Sequence, residues 1–250
     1  MSSVWPSIHA FAHAAPWVVL IAAAGVFPLL FFVTAPYGRH FRPGWGPALG
    51  SKIGWIAMEW PSVFVFALVW MANPRFDTPM VRVLGLLWVI HYLQRTFLFS
   101  LLRKDSEKRQ SVLTVAMGMA FNAINATGNA AGLTDRPFDG LFFLGVALFI
   151  VGLLVNVHSD HVLRALRAPG ESGYKVPFGG AFTYVSAPNY LAEIVEWLGF
   201  ALAAQTLAAW AFAAFTFANL APRALANHRW YREKFPEYPA RRRALIPFLW

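Results

Sequence analysis

The chain has 250 residues, of which 58% are hydrophobic and 13% charged. Soluble domains carry about 25% charged residues, so the deficit points to lipid as the main solvent for the outer surface. The absence of cysteine excludes disulfides, zinc–thiolate sites and cysteine nucleophiles. A net charge of +9 would suggest nucleic acid in a soluble protein. Here the cations flank apolar runs, so membrane topology accounts for them and no nucleic-acid partner is expected.

A helix needs roughly 20 largely apolar residues to cross the hydrocarbon. In chain order the predicted spans are about 14–34, 53–72, 80–101, 112–131, 139–158, 182–203 and 205–221, the last two meeting near Gln205. The stretch Met1 to His13 lacks a basic n-region, so the first span is expected to stay in the mature protein. Neither an internal repeat nor a low-complexity linker is visible, which gives one domain over 1–250. The expected class is therefore an all-α integral membrane protein with seven transmembrane helices.

Orientation follows from Lys and Arg. With the N-terminus outside and the C-terminus cytoplasmic, the loops and tail on the inner side hold seventeen basic residues. Only Arg75, Arg82 and Arg136 fall outside, and Arg95 lies within a span. An even number of spans would place the seven cations of the tail outside, so seven spans are favoured, in a bacterial-type inner membrane.

Charged and polar groups inside spans are costly and mark function. Span two carries Glu59 in Met58-Glu59-Trp60-Pro61-Ser62; span three carries His91-Tyr92-x-x-Arg95-Thr96. Span four holds Asn122, Asn125, Thr127 and Asn129, span five closes with Asn156-Val157-His158-Ser159-Asp160-His161, and span six opens with Asn189, Glu193 and Glu196. Asn156 with Asp160, and Asn189 with Glu193, are four apart and stack on one face. The pattern predicts a basic, cytoplasm-facing pocket that leads into an apolar cavity holding a carboxyl group and a phenol. His158-x-x-His161 reads as an interfacial polar cap, and Trp5, Trp17, Trp45 and Trp250 read as interface anchors.

Two enzyme classes fit such a site. One is a reductase that holds an anionic dinucleotide with Arg forks and passes hydride to a lipid-soluble substrate. There is no G-x-G-x-x-G after a strand and no strand pattern, so a Rossmann site is excluded. The other is a membrane lipid or isoprenylcysteine-type methyltransferase using S-adenosylmethionine. A di-iron desaturase would need more than one H-x-x-H, and no metal site is expected. A transporter would show inverted repeats and broken helices, which are absent.

The clusters, in order, resemble the steroid 5α-reductase family (3-oxo-5α-steroid 4-dehydrogenases). The resemblance rests on Tyr37-Gly38-Arg39-His40, Glu59-x-Pro61-Ser62, His91-Tyr92-x-x-Arg95-Thr96-Phe97 and Thr127-Gly128-Asn129. It continues through Asn156-x-His158-Ser159-Asp160, Leu163-Arg164-x-Leu166-Arg167-x-Pro169-Gly170 and Gly179-Gly180-x-Phe182-Thr183-Tyr184-Val185-Ser186. Asn189-x-x-x-Glu193-x-x-Glu196-Trp197 and Arg243-Ala244-Leu245-Ile246-Pro247-Phe248 complete it. The resemblance implies NADPH-dependent reduction of the C4–C5 double bond of a 3-oxo-Δ4 steroid. Its carbonyl-binding pair maps onto Glu59 and Tyr92. Its cofactor residues map onto Arg39, Arg103, Asn156, Asp160, Arg167, Tyr174, Asn189, Glu193, Arg223 and Tyr231, most of them in the C-terminal part 139–250, and Trp197 would line the steroid cavity. Two departures stand out: Met58 replaces a Gln common in the family, and a histidine cluster is reduced to Asn227-His228.

Overall fold

The computed structural model describes residues 5–34, 44, 46–103, 109–166, 168, 171 and 173–250. Arg39 and Arg167 lie outside the described residues. Seven helical rods organise the described chain: α1 (Trp5–Phe32), α2 (Ser51–Ala72), α3 (Pro79–Leu102), α4 (Val112–Gly132), α5 (Gly140–Ala165), α6 (Pro188–Ala204) and α7 (Leu207–Lys234). Of these, α1, α2, α3 and α5 are long and apolar enough to cross a membrane. The protein is thus all-α and built for the membrane. Large apolar side chains such as Ile21, Phe32, Ile53, Leu68 and Leu154 stand on its outer surface, as expected where lipid replaces water.

Helix ends carry specific stops. Asp139 caps α5 by accepting from the Phe142 N–H at 2.7 Å, and Ser111 caps α4 by accepting from Leu113. Pro79 and Pro188 occupy the first positions of α3 and α6, where the missing N–H costs nothing. The sixth rod starts at Pro188 rather than near 182, because Gly180–Thr183 form a 3₁₀ turn first. Gln205 adopts a left-handed conformation (φ 51°), which ends α6, and Thr206 caps α7 through the Ala209 N–H. That two-residue turn fixes the boundary between the last two rods.

Strands are not absent, as the sequence had suggested. Ala48–Gly50 (β1) pairs antiparallel with Arg109–Ser111 (β2), with Leu49 opposite Gln110. Three residues are too few to show a period of two. The pairing exists because α2 and α4 begin side by side and bring their lead-in segments together. It leaves the exclusion of a Rossmann site intact, since the ribbon has only two short strands.

The apolar centre is an aromatic stack. Trp88 lies flat on Phe66 (4.6 Å, 7°) and edge-on to Trp197 and Phe200. Its indole N–H donates to the Ser62 carbonyl at 2.8 Å, so the one polar atom of the ring is satisfied in the core. With Phe212, 5.6 Å from Trp88 and 4.5 Å from Trp197, this stack ties α2, α3, α6 and α7 together.

Candidate active site

A cavity of about 610 Å³ opens among the rods, a size that suits a small-molecule ligand. Glu59 and Met58 reach it from α2, Tyr92 and Arg95 from α3, Asn122 and Phe121 from α4, Asp160 from α5, Asn189 and Glu193 from α6, and Arg223 from α7. Helical spacing explains the convergence. Each of these rods turns its polar stripe inward because the outer face meets lipid, where an unpaired polar group costs several kcal/mol.

At the apolar end, Glu59 accepts from Asn122 Nδ2 at 3.2 Å, and the same amide holds the Met58 carbonyl at 2.8 Å. Tyr92 is buried and wedged between Trp88 (5.0 Å), Trp197 (5.6 Å) and His91 (4.9 Å). Acid and phenol therefore share one cavity and its deep wall. Trp197 stands a layer behind that wall, packed against Tyr92 and His91 rather than forming the surface itself.

The middle of the cavity is organised by Arg95. It belongs to a π-helical segment, Gln94–Leu98, inside α3; such bulges cluster at functional sites. Its guanidinium lies between the rings of Trp55 (4.8 Å) and Phe99 (4.7 Å) and bonds Asp160 Oδ2 at 3.2 Å, with Glu193 at 3.6 Å. Asp160 in turn accepts from Asn189 Nδ2 at 3.2 Å, and Asn156 donates to the Asn189 carbonyl at 2.9 Å. Asn156 is not among the residues lining the cavity; it fixes Asn189, and its own Oδ1 is buried without a hydrogen-bond partner among the described residues.

The mouth is cationic. Arg103, Arg109, Arg164 and Arg223 line it from different elements. Arg103 donates to Ser51 Oγ at 2.8 Å and Arg223 to the Tyr190 hydroxyl at 3.3 Å, whereas Arg164 has a buried Nη1 with no hydrogen-bond partner among the described residues. Tyr174 and Tyr231 sit apart from this cavity. Tyr231 stacks on Tyr238 (5.3 Å) and Tyr174 meets Trp230 edge-on (5.0 Å), in a separate cluster with Val176 and Phe235.

Beyond the expected last span 205–221, at the C-terminal end of α7, His228 belongs to a clasp that holds the tail. Ser186 Oγ lies 2.6 Å from both His228 Nδ1 and the Tyr238 hydroxyl, and Ser186 N–H donates to the Arg243 carbonyl at 2.8 Å. Burial first, then the nearby Arg232, Arg242 and Arg243, push the His228 imidazole below its ordinary range. Of the reduced Asn227-His228 pair, the histidine thus serves this clasp.

Sequence reasoning assigned no role to Arg95, Asn122, Gln110 or the cavity-lining His91. An arginine in mid-span was itself the signal, since an intramembrane charge requires partners. Gln110 carried none: it lies in the short β2, yet it lines the cavity with its Nε2 3.7 Å from Met58 Sδ.

Fold and cavity together define a helical membrane protein with a cationic mouth and an apolar, acid-and-phenol floor. The family model described as 3-oxo-5-alpha-steroid 4-dehydrogenase matches residues 108–250. Similar proteins include 3-oxo-5-alpha-steroid 4-dehydrogenase 1 of Bos taurus, 39% identical over 92% of this chain and 94% of its own length. The steroid 5-alpha-reductase DET2 of Gossypium hirsutum is 38% identical over 88% of this chain and 90% of its own. The type 2 enzyme of Homo sapiens is 39% identical over 92% and 93%. The chain belongs to the 3-oxo-5-alpha-steroid 4-dehydrogenase family and is an oxidoreductase acting on a CH–CH group.

Proposed function

We propose that this protein uses NADPH to reduce the C4–C5 double bond of a 3-oxo-Δ4 steroid, or of an enone lipid of similar shape. One observation supports the reading: Glu59 and Tyr92 line the same cavity as Arg103, Arg109, Arg164 and Arg223. Its relatives, a 3-oxo-5-alpha-steroid 4-dehydrogenase and a steroid 5-alpha-reductase among them, suggest the substrate class.

The residues present fit a dinucleotide. Arg103, Arg164 and Arg223 offer charge-assisted donors for phosphates, and the partnerless Nη1 of Arg164 is a donor in want of an acceptor. Asn189, Asp160 and Glu193, held by Asn156 and Arg95, present amide and carboxylate groups suited to ribose and carboxamide. The resemblance also assigns Arg39, Arg167, Tyr174 and Tyr231 to the cofactor; Tyr174 and Tyr231 stand outside the described cavity wall. When bound, the reduced nicotinamide supplies a hydride to C5.

The protein's own part is electrostatic. As C5 gains hydride, negative charge develops on the C3 oxygen, and donors aimed at that atom stabilise it most where water is excluded. Tyr92 is one donor. Glu59 is the second in its protonated form, with Asn122 fixing its carboxyl group. Trp197, behind Tyr92, keeps the phenol in place.

In the same reading all seven rods cross the bilayer, with the arginine mouth and the tail in the cytoplasm of a bacterial inner membrane. The more polar α4, α6 and α7 pack alongside the four apolar rods and spend their polarity on the cavity. The detergent-solubilised protein should gain thermal stability with NADPH and none with S-adenosylmethionine. It should also oxidise NADPH with testosterone or progesterone, giving a single configuration at C5. Stabilisation by S-adenosylmethionine alone would replace this reading with a methyltransferase.

A further inference from the structure

The hydride accounts for half of the reduction; a proton must also reach C4. Glu59 and Tyr92 are engaged with the C3 oxygen in the proposed reaction, and Glu193 and Asp160 are tied to Arg95. Tyr190 accepts from Arg223, so among the acidic, phenolic and imidazole side chains of the described cavity wall one is left without a task. It is His91.

Its setting is unusual. Nδ1 lies 2.6 Å from Glu196 Oε1, the separation of a charge-assisted bond, and both side chains are almost wholly buried, at 2% and 0% exposure. Glu196 lies behind the wall and its other oxygen, Oε2, has no hydrogen-bond partner among the described residues. A carboxylate so placed binds the ring tightly and retains a proton in the pair, because an unneutralised charge in that apolar setting is costly. The ring is held edge-on to Tyr92 (4.9 Å) and Trp197 (4.7 Å), so it cannot turn. With Nδ1 facing Glu196, the Nε2 edge is the part left for the cavity, beside the phenol that marks the C3 oxygen.

We infer that His91, oriented by Glu196, is the acid that protonates C4. The inference rests on the enone reductase reading above. Hydride addition forms the C5–H bond, breaks the C4–C5 π bond and places its electron pair in the enolate of C3 and C4. The imidazolium Nε2–H bond then breaks, its proton forms the C4–H bond, and its electron pair remains on nitrogen. The enolate becomes the saturated ketone, the nicotinamide has lost two electrons, and a neutral imidazole is left hydrogen-bonded to the Glu196 carboxylate. Water from the cationic mouth restores the proton.

The test uses the full-length protein with NADPH and progesterone. His91→Gln should lower kcat by about 10²-fold, within the usual contribution of a general acid, while KM for the steroid stays within about twofold. The solvent deuterium isotope effect on kcat should rise, because slow protonation by water becomes limiting; a residue that merely supports the wall would leave it unchanged. Glu196→Gln, which keeps the bond to Nδ1 but not the charge, should lose about tenfold with the same rise. Retained stabilisation by NADPH shows that a variant is folded. Turnover within threefold of wild type by either folded variant would overturn the inference, and so would loss of NADPH stabilisation in both. An inactive wild type would instead refute the reductase reading, which keeps the two failures distinct.

Discussion

The two sides of the cavity are built on opposite plans. On one side α5 and α6 touch backbone to backbone: a Cβ added at Gly152 would stand 2.6 Å from both the Ala192 carbonyl and the Glu196 nitrogen. One added at Gly199 would stand 2.5 Å from the Phe149 nitrogen and 2.6 Å from the Gly145 carbonyl. Small residues let helices in lipid approach so closely, and the contact leaves nothing able to give way. This wall carries Asp160, Asn189, Glu193 and Glu196. On the other side α2, α4 and α7 are spaced by Met58, Met117 and the stacked pair Phe121 and Phe215 (3.9 Å), and the space between them is the cavity. The rigid wall carries Asp160, Asn189 and Glu193, whereas Glu59 and Asn122 face them from the wall that can give.

Breaking the rigid side should have the largest effect. Gly152→Leu must separate two backbones, and overpacking of this kind costs about 3 kcal/mol or more. The expected outcome, read from thermal unfolding in detergent, is a protein that no longer gains stability with NADPH. Next comes the floor of the cavity. Tyr92→Phe or Glu59→Gln should reduce kcat by about 10²–10³-fold with NADPH binding intact, since each removes one donor to the C3 oxygen. Wild-type-like turnover by both variants would remove the pair from the mechanism.

The compliant side should answer more softly. A Cβ at Gly118 would lie 2.3 Å from Met58 Cγ and 2.6 Å from its Sδ, but an unbranched methionine side chain can change rotamer to make room. Gly118→Ala should therefore cost less than about 1 kcal/mol and act mainly on KM for the steroid. The smallest effect belongs to the tail clasp. His228 is held below its unfolded value near 6.5, so the unfolded chain takes up that proton first as the pH falls. Its contribution to stability is present above that value and lost as the pH falls through the lower folded one. His228→Gln should flatten this small acid-side slope in unfolding curves while leaving turnover near neutral pH unchanged.

Much of this architecture was legible before folding. Apolar runs located the seven rods, and mid-span charges located the cavity, because lipid penalises both exposed peptide groups and unpaired charges. Tyr92, Glu59, Asp160, Asn189 and Glu193 were all found in that way. The short ribbon of Leu49 and Gln110 was not, since six paired residues carry no periodic signal. Tyr174 and Tyr231 were assigned to the cofactor by resemblance, and the structure sets them in a separate aromatic cluster.

The sequence by itself determined the class, an all-helical membrane protein, because hydrophobic length and the segregation of charge are one-dimensional properties of the chain. Only the tertiary structure decided which polar groups meet. His91 and Glu196 are 105 residues apart, and Arg95 and Asp160 are 65 apart. Those pairings depend on the close glycine contact between α5 and α6 and on the rotation that a π-helical segment gives to α3. Neither the depth of a helix contact nor the phase of a helix after a bulge can be read from spacing along a single strand of sequence.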